Sequence, residues 1–288
     1  MRKTDNVKVL PSPYREKILA RRAEYEANGW FDRDLEDDPP APALLPDGVD
    51  YLGERAWSRV QTAFANRVAH GFYEKQIRRG QLVIKEVKGY ENYTAVTGGA
   101  ILTCNHFHPF DNYAVYKAIE PALRAEHRQL YKVIREGNYT NFPGLYGYFF
   151  RHCNTLPLSS NFDTMKKLLT SVDTLLSRGE KILIYPEQGM WWNYRKPRPL
   201  KDGGFQMAVR SGVPVIPFFI SMEDGDDVDG EGYPVQLYTV HILPAVYPDP
   251  SLSRREQIRQ MKEAVYDGMK QTYEEAYGCP LVYGGETV

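Results

Sequence analysis

The run Asn105-His106-Phe107-His108-Pro109-Phe110-Asp111 sets a histidine and an aspartate with four residues between them. Before it lies an apolar run, Ala100 to Cys104, of strand length, and after it Asn112 to Ile119 has helical periodicity. The pair therefore belongs on a strand-to-helix turn, where a rigid scaffold can hold reactive groups open. His106 can act there as a general base that takes a proton from a hydroxyl, with Asp111 orienting the imidazole. Taken alone, such a pair is more often a local hydrogen-bonded turn than a catalyst. His108 reads as a packing neighbour, and Cys104 as a small buried residue rather than a nucleophile.

Three further segments carry chemistry. Tyr185-Pro186-Glu187-Gln188-Gly189 directly follows a strand expected over Lys181 to Tyr185, so Glu187 is placed at a site lip or as a plain strand-end charge. The loop from Arg195 to Gly204 carries Arg195, Arg198 and Lys201 and leads into a helix. Its cations and the unpaired N–H groups of that helix could hold a phosphate, although such a loop can also be merely solvated. Val213-Pro214-Val215-Ile216-Pro217 is an apolar strand framed by prolines, suited to lining an acyl or substrate channel.

The elements that must position these residues alternate. Strands are expected over 82–87, 100–104, 130–134, 181–185, 213–220 and 235–243, with 155–158 extended. Helices are expected over 111–123, 145–152, 162–177, 204–211 and 251–277, the last capped by Ser251 or Ser253. This alternation predicts an α/β fold, a mostly parallel central sheet flanked by helices, with an N-terminal helical extension. The extension, 1–80, holds a charged helix over 13–30 and an acidic, proline-rich linker over 31–50. It ends in a basic helix over 57–79 whose Trp57, Val60, Phe64, Val68 and Phe72 form one stripe facing either the core or a membrane surface. The main domain spans 81–250, and a terminal helix and tail span 251–288.

With 36 basic and 37 acidic residues the chain is nearly neutral, and nothing points to nucleic acid. Three cysteines without metal-type spacing predict a reducing, cytoplasmic setting and neither a disulfide framework nor a metal site. The start, Met1-Arg2-Lys3-Thr4-Asp5, has no apolar core behind it, which predicts no signal peptide. No run is long enough for a membrane-spanning helix, so a membrane partner would be met peripherally.

In this order, from about Val83 to Leu243, the segments resemble the glycerolipid acyltransferase family, whose best-known members acylate lysophosphatidic acid. Asn105, His106 and Asp111 match its first motif, and Tyr185 to Trp191 stand where its third reads Phe-Pro-Glu-Gly-Thr-Arg-Ser. Leu200-Lys201-Asp202-Gly203 match a Phe-Lys-x-Gly element, and Val213 to Pro217 match its fourth motif. The resemblance implies transfer of a fatty acyl chain from an acyl-CoA or acyl-carrier-protein thioester to a lyso-glycerolipid hydroxyl, with no bound cofactor and no metal. A 1-acylglycerol-3-phosphate-like acceptor is favoured. It further implies His106 as base, Asp111 as its partner, Glu187 as a residue that orients the acceptor, and backbone N–H groups near Gln188 and Gly189 as oxyanion donors.

Two departures bear on the acceptor. Ser160 stands where the second motif ends in arginine, and Met190 where the third has one. Either Arg195, Arg198 and Lys201 replace those cations, or the acceptor is not a simple phosphomonoester but a glycolipid or other neutral lipid. Two readings from other classes compete. His106-x-His108-x-x-Asp111 resembles the zinc-binding His-x-His-x-Asp-His run of metallo-β-lactamase-type hydrolases, out of register. A non-catalytic lipid- or acyl-carrier-binding module would keep the apolar channel without needing His106.

Overall fold

The computed structural model describes residues 11–284, so Met1–Asp5, on which the signal-peptide reading rests, and the end of the tail lie outside the described residues. Helix α1 (Pro13–Ala27) starts on a proline, whose fixed φ and missing N–H suit the first helical turn. An extended strap then leads through a short 3-10 turn (Pro46–Gly48) to α2 (Ala56–Arg78).

Strand and helix alternate from there: β1 (Val83–Lys88), α3 (Tyr90–Thr94), β2 (Ala100–Thr103), α4 (Asp111–Ala125), β3 (Leu130–Ile134), α5 (Glu136–Thr140) and α6 (Gly144–His152). Next come β4 (Thr155–Pro157), α7 (Phe162–Ser177), β5 (Lys181–Ile184), α8 (Gly203–Ser211), β6 (Val215–Val228), β7 (Pro234–Ile242) and α9 (Arg254–Tyr277). The seven strands form one sheet in the order β1-β7-β6-β2-β5-β3-β4. Every pairing is parallel except β6 with β7.

Local chemistry explains these boundaries. Asn161 caps α7 by accepting the Thr164 N–H at 3.0 Å. Ser253, not Ser251, caps α9, in a reciprocal capping box with Glu256. Strands β2 and β5 read Ala-Ile-Leu-Thr and Lys-Ile-Leu-Ile and are buried along their whole length. A parallel sheet covered on both faces favours such unbroken apolar runs. Leu102, Leu183 and Leu130 face α4, packing with Ala114, Val115 and Ile119. Ile101 and Ile182 face the other way, onto Leu168, Val172 and Phe205. Lys181 is the charged exception; its ammonium donates to the Gly98 carbonyl and lies 5.5 Å from the Tyr93 ring centre.

The structure differs from expectation in three places. Strand β6 runs on to Val228, forming a long hairpin with β7 through the charged stretch Glu223–Asp227. The five-residue helices α3 and α5 were not anticipated, being too short to show a period. Val213 to Pro217 line no channel. Val215 and Ile216 are fully buried where β6 pairs with β2, so the prolines frame a core strand.

Candidate active site

The loops that follow β2, β3 and β5 converge at the carboxyl edge of the sheet, the usual ligand side of an open α/β fold. They border a cavity of about 940 Å³ to which α2, α4, α6 and the strap also contribute. His106 lines it, with its side chain 22% exposed. Its Nδ1 lies 2.8 Å from Asp111 Oδ2, which leaves Nε2 for a substrate.

Asp111 is the first residue of α4 and is wholly buried. Its Oδ2 also accepts the N–H groups of Phe107 at 3.0 Å and His108 at 3.2 Å. Its Oδ1 accepts the Tyr185 hydroxyl at 2.6 Å. Burial pushes the Asp111 carboxyl up, but the neighbouring imidazole and these donors outweigh it and hold the pKa below the ordinary value. A carboxylate satisfied on every side can fix an imidazole tautomer and stabilise the imidazolium.

The backbone of His106 is pinned from both sides. Its N–H donates to Glu187 Oε2 at 3.1 Å, and its carbonyl accepts the Trp191 N–H at 3.0 Å. Glu187 Oε1 accepts the Arg198 N–H at 2.8 Å, and the Arg198 guanidinium lies 3.2 Å from Oε2 and donates to the Gly189 carbonyl. Arg198 is 1% exposed and packs on the Trp191 ring at 4.8 Å. Beyond Trp191 stands the N-terminal segment. Phe31 stacks on the indole, whose Nε1 donates to the Arg33 carbonyl at 3.1 Å.

Among the residues expected to bind substrate, Gln188, Gly189 and Lys201 line the cavity and the other four do not. Asn105 is buried and exchanges two hydrogen bonds with the Ile220 backbone, stapling the end of β2 to β6. Glu187 and Arg198 are spent on each other and on the backbone of His106, so neither is placed to touch an acceptor. Arg195 pairs with Asp224 at 2.6 Å outside the cavity wall. The expected phosphate loop is therefore a set of internal ion pairs, with Lys201 exposed at the cavity rim.

The Gln188 N–H, expected as an oxyanion donor, instead closes a turn onto the Tyr185 carbonyl at 3.0 Å. Gln188 itself has φ of +67°, a left-handed conformation uncommon outside glycine, at the position where the resembled motif carries glycine.

His108 Nδ1 accepts the Phe110 N–H at 3.1 Å, and burial lowers its pKa to about 4. Burial, with Asp111 and Glu187 nearby, holds the Cys104 thiol well above its ordinary pKa, so it stays a thiol. Among the described residues no group of three His, Cys, Asp or Glu side chains could hold a metal ion. Tyr185, which stacks on His106, was not singled out, although it stands in the third motif beside Glu187. Arg135 and Asp34, which also line the cavity, were missed because their pairing spans 101 residues of sequence.

The family model described as Acyltransferase matches residues 85–221. No curated protein matches the chain. Among solved structures, the crystal structure of the 1-acyl-sn-glycerophosphate (LPA) acyltransferase PlsC from Thermotoga maritima is similar at 20% identity. That match covers 75% of this chain and 79% of that one, with a TM-score of 0.45. Residues 85–221, which hold His106, Asp111, Tyr185, Glu187 and Arg198, are an acyltransferase-family domain.

Proposed function

We propose that the protein transfers a fatty acyl chain from an acyl thioester, acyl-CoA or acyl carrier protein, to a hydroxyl of a lyso-glycerolipid. The acceptor hydroxyl binds against His106 Nε2, which takes its proton as the oxygen attacks the thioester carbon. Asp111 holds Nδ1–H and stabilises the imidazolium. As the tetrahedral intermediate collapses, the C–S bond breaks and the imidazolium returns the proton to the departing thiolate. The thioester is already activated, so no covalent acyl-enzyme is needed.

The observation that carries this reading is the buried, fully satisfied Asp111 behind a His106 that opens onto a cavity lined in part by aromatic side chains. The test is acyl transfer to a panel of lyso-lipids from both donors, read by mass spectrometry. Absence of any ester product from every pair would sink it.

We also propose a peripheral, cytoplasmic-side membrane contact. No described helix is long and apolar enough to cross a membrane. Trp57, Val60 and Phe64 of α2 are 69%, 58% and 60% exposed, whereas Val68 and Phe72 of the same stripe pack on Phe149 and Cys153. Leu145 and Tyr146 of α6 are half exposed beside them, and Tyr146 and Phe142 also line the cavity. A lipid surface met there would sit at the cavity's apolar wall. Arg67, Lys75 and Arg78 continue the exposed face of α2 and suit anionic head groups.

A further inference from the structure

The strap between α1 and α2 brings acid into the cavity. Asp34 grips the Arg135 guanidinium with both oxygens, at 2.5 and 2.7 Å, and Asp38 adds a contact at 3.3 Å. Arg135 directly follows β3, and all three side chains line the cavity that His106 lines. This two-point fork is the geometry in which an arginine takes a phosphate. The site of an anionic ligand is thus held by the chain's own carboxylates.

The pair is partly exposed, 38% for Arg135 and 41% for Asp34, so its own strength is small. What matters is that Asp34 cannot leave. The residue before it, Arg33, gives its carbonyl to the buried Trp191 indole. The residue after it, Leu35, is 1% exposed among Ile18, Trp191, Trp192 and Tyr194, and its carbonyl accepts from Arg21. The carboxylate lies so close over Gly189 that a Cβ there would fall 2.2 Å from Asp34 Oδ1. An incoming anion would therefore still meet the Asp34 carboxylate even if it won the guanidinium.

The second arginine of the wall is answered in the same way. Arg15 binds Glu231 at 2.8 and 2.9 Å, and Glu36 lies 3.7 Å from it. Across the cavity the charged side chains other than histidine are four basic and five acidic. A phosphate monoester would bring nearly two more negative charges at pH 7.

We infer that Asp34 and Asp38 are specificity determinants that exclude phosphomonoester acceptors, and that the acceptor carries an uncharged, hydroxyl-bearing head group. The inference rests on the acyl-transfer reading and names its acceptor class. A neutral head group can hydrogen-bond to the carboxylates of the strap, whereas a phosphate is repelled by them.

The experiment compares monoacylglycerol with lysophosphatidic acid of the same chain length in neutral detergent micelles. The parent and Asp34→Asn/Asp38→Asn full-length proteins are assayed with acyl-CoA and acyl carrier protein donors. The parent should favour monoacylglycerol in kcat/KM by tenfold or more, and the double variant should narrow that ratio at least tenfold. Calorimetric binding of each acceptor without donor is the second measurement. Loss of turnover with both acceptors would tell against acyl transfer, while the binding ratio would still read the head-group class. Tighter binding or faster use of lysophosphatidic acid by the parent overturns the inference. So does an unchanged ratio in a double variant that melts like the parent. If the double variant does not fold, Asp38→Asn alone, at a position 51% exposed, carries the same comparison with a smaller expected shift.

Discussion

Tyr185 lies flat against His106, ring centres 4.0 Å apart and planes 18° from parallel. Its hydroxyl holds the Asp111 oxygen that His106 does not use. One side chain thus sets the plane of the base and the orientation of its carboxylate.

Replacing Tyr185 by phenylalanine keeps the stack and removes the hydrogen bond. A hydrogen bond to a charged group is worth roughly 1.5–3 kcal/mol, so kcat should fall by about tenfold or more while the acceptor KM stays near its parent value. Tyr185→Ala should cost more, because the ring is lost as well. Equal rates for parent and Tyr185→Phe would show that Asp111 is held well enough without it.

His106→Ala and Asp111→Asn should each lower acyl transfer by about 10²-fold or more. His106→Ala should still bind acceptor, which separates the enzyme from a pure binding module. Binding and turnover measured on the same preparation check both points, with circular dichroism to confirm the fold.

His108 supplies a pH dependence. Burial depresses its folded pKa to about 4, below the unfolded value of about 6.5. The unfolded chain therefore takes up a proton first as pH falls. Stability from neutral His108 is present above about pH 6.5 and is lost progressively down to about pH 4. His108→Gln should flatten the fall in melting temperature across that window. A parent protein whose melting temperature is flat from pH 7 to 5 would contradict this.

Gln188 sits in the left-handed region, which costs an L-residue roughly 1–2 kcal/mol. Gln188→Val should destabilise further, since β-branching at positive φ is the least tolerated choice. Gln188→Gly should leave the melting temperature level or raise it, because relief of strain offsets the added chain entropy. A Gln188→Gly protein that melts lower than Gln188→Val would refute the strain.

Trp57→Ala/Phe64→Ala should weaken sedimentation with anionic vesicles while leaving turnover of micellar substrate nearly unchanged. Binding should also weaken with salt, through Arg67, Lys75 and Arg78. Equal vesicle binding by parent and variant would move the contact elsewhere.

How far the sequence could be read depended on the distance over which each residue's environment is set. Strands β2 and β5 were legible because every residue from Ala100 to Thr103 and from Ile182 to Ile184 is apolar or small enough for a buried sheet. The His106–Asp111 turn was legible because both groups lie within one loop. Arg195 and Arg198 were read as open cations because nothing near them reveals that Asp224 and Glu187 would take them. The extension of β6 through Glu223 and Asp224 was hidden, since a hairpin beyond the core needs no apolar face. The stripe of α2 was read as uniform, yet α6 covers only its second half.

The packing of Phe31 and Arg33 on Trp191 also bears on how the molecule is assembled. The Trp191 indole bonds to a carbonyl 158 residues earlier, and Arg22 reaches the Trp192 carbonyl across 170. Contacts of such separation carry the loop-closure entropy of nearly the whole domain and form late. During synthesis Ile18, Leu35 and Phe31 leave the ribosome well before Trp191, Trp192 and Tyr194, which complete their cluster. The loop that pins His106 is therefore completed by the oldest part of the polypeptide closing over one of its younger parts. A chain shortened at its N-terminus would reach the sheet topology without reaching the active geometry.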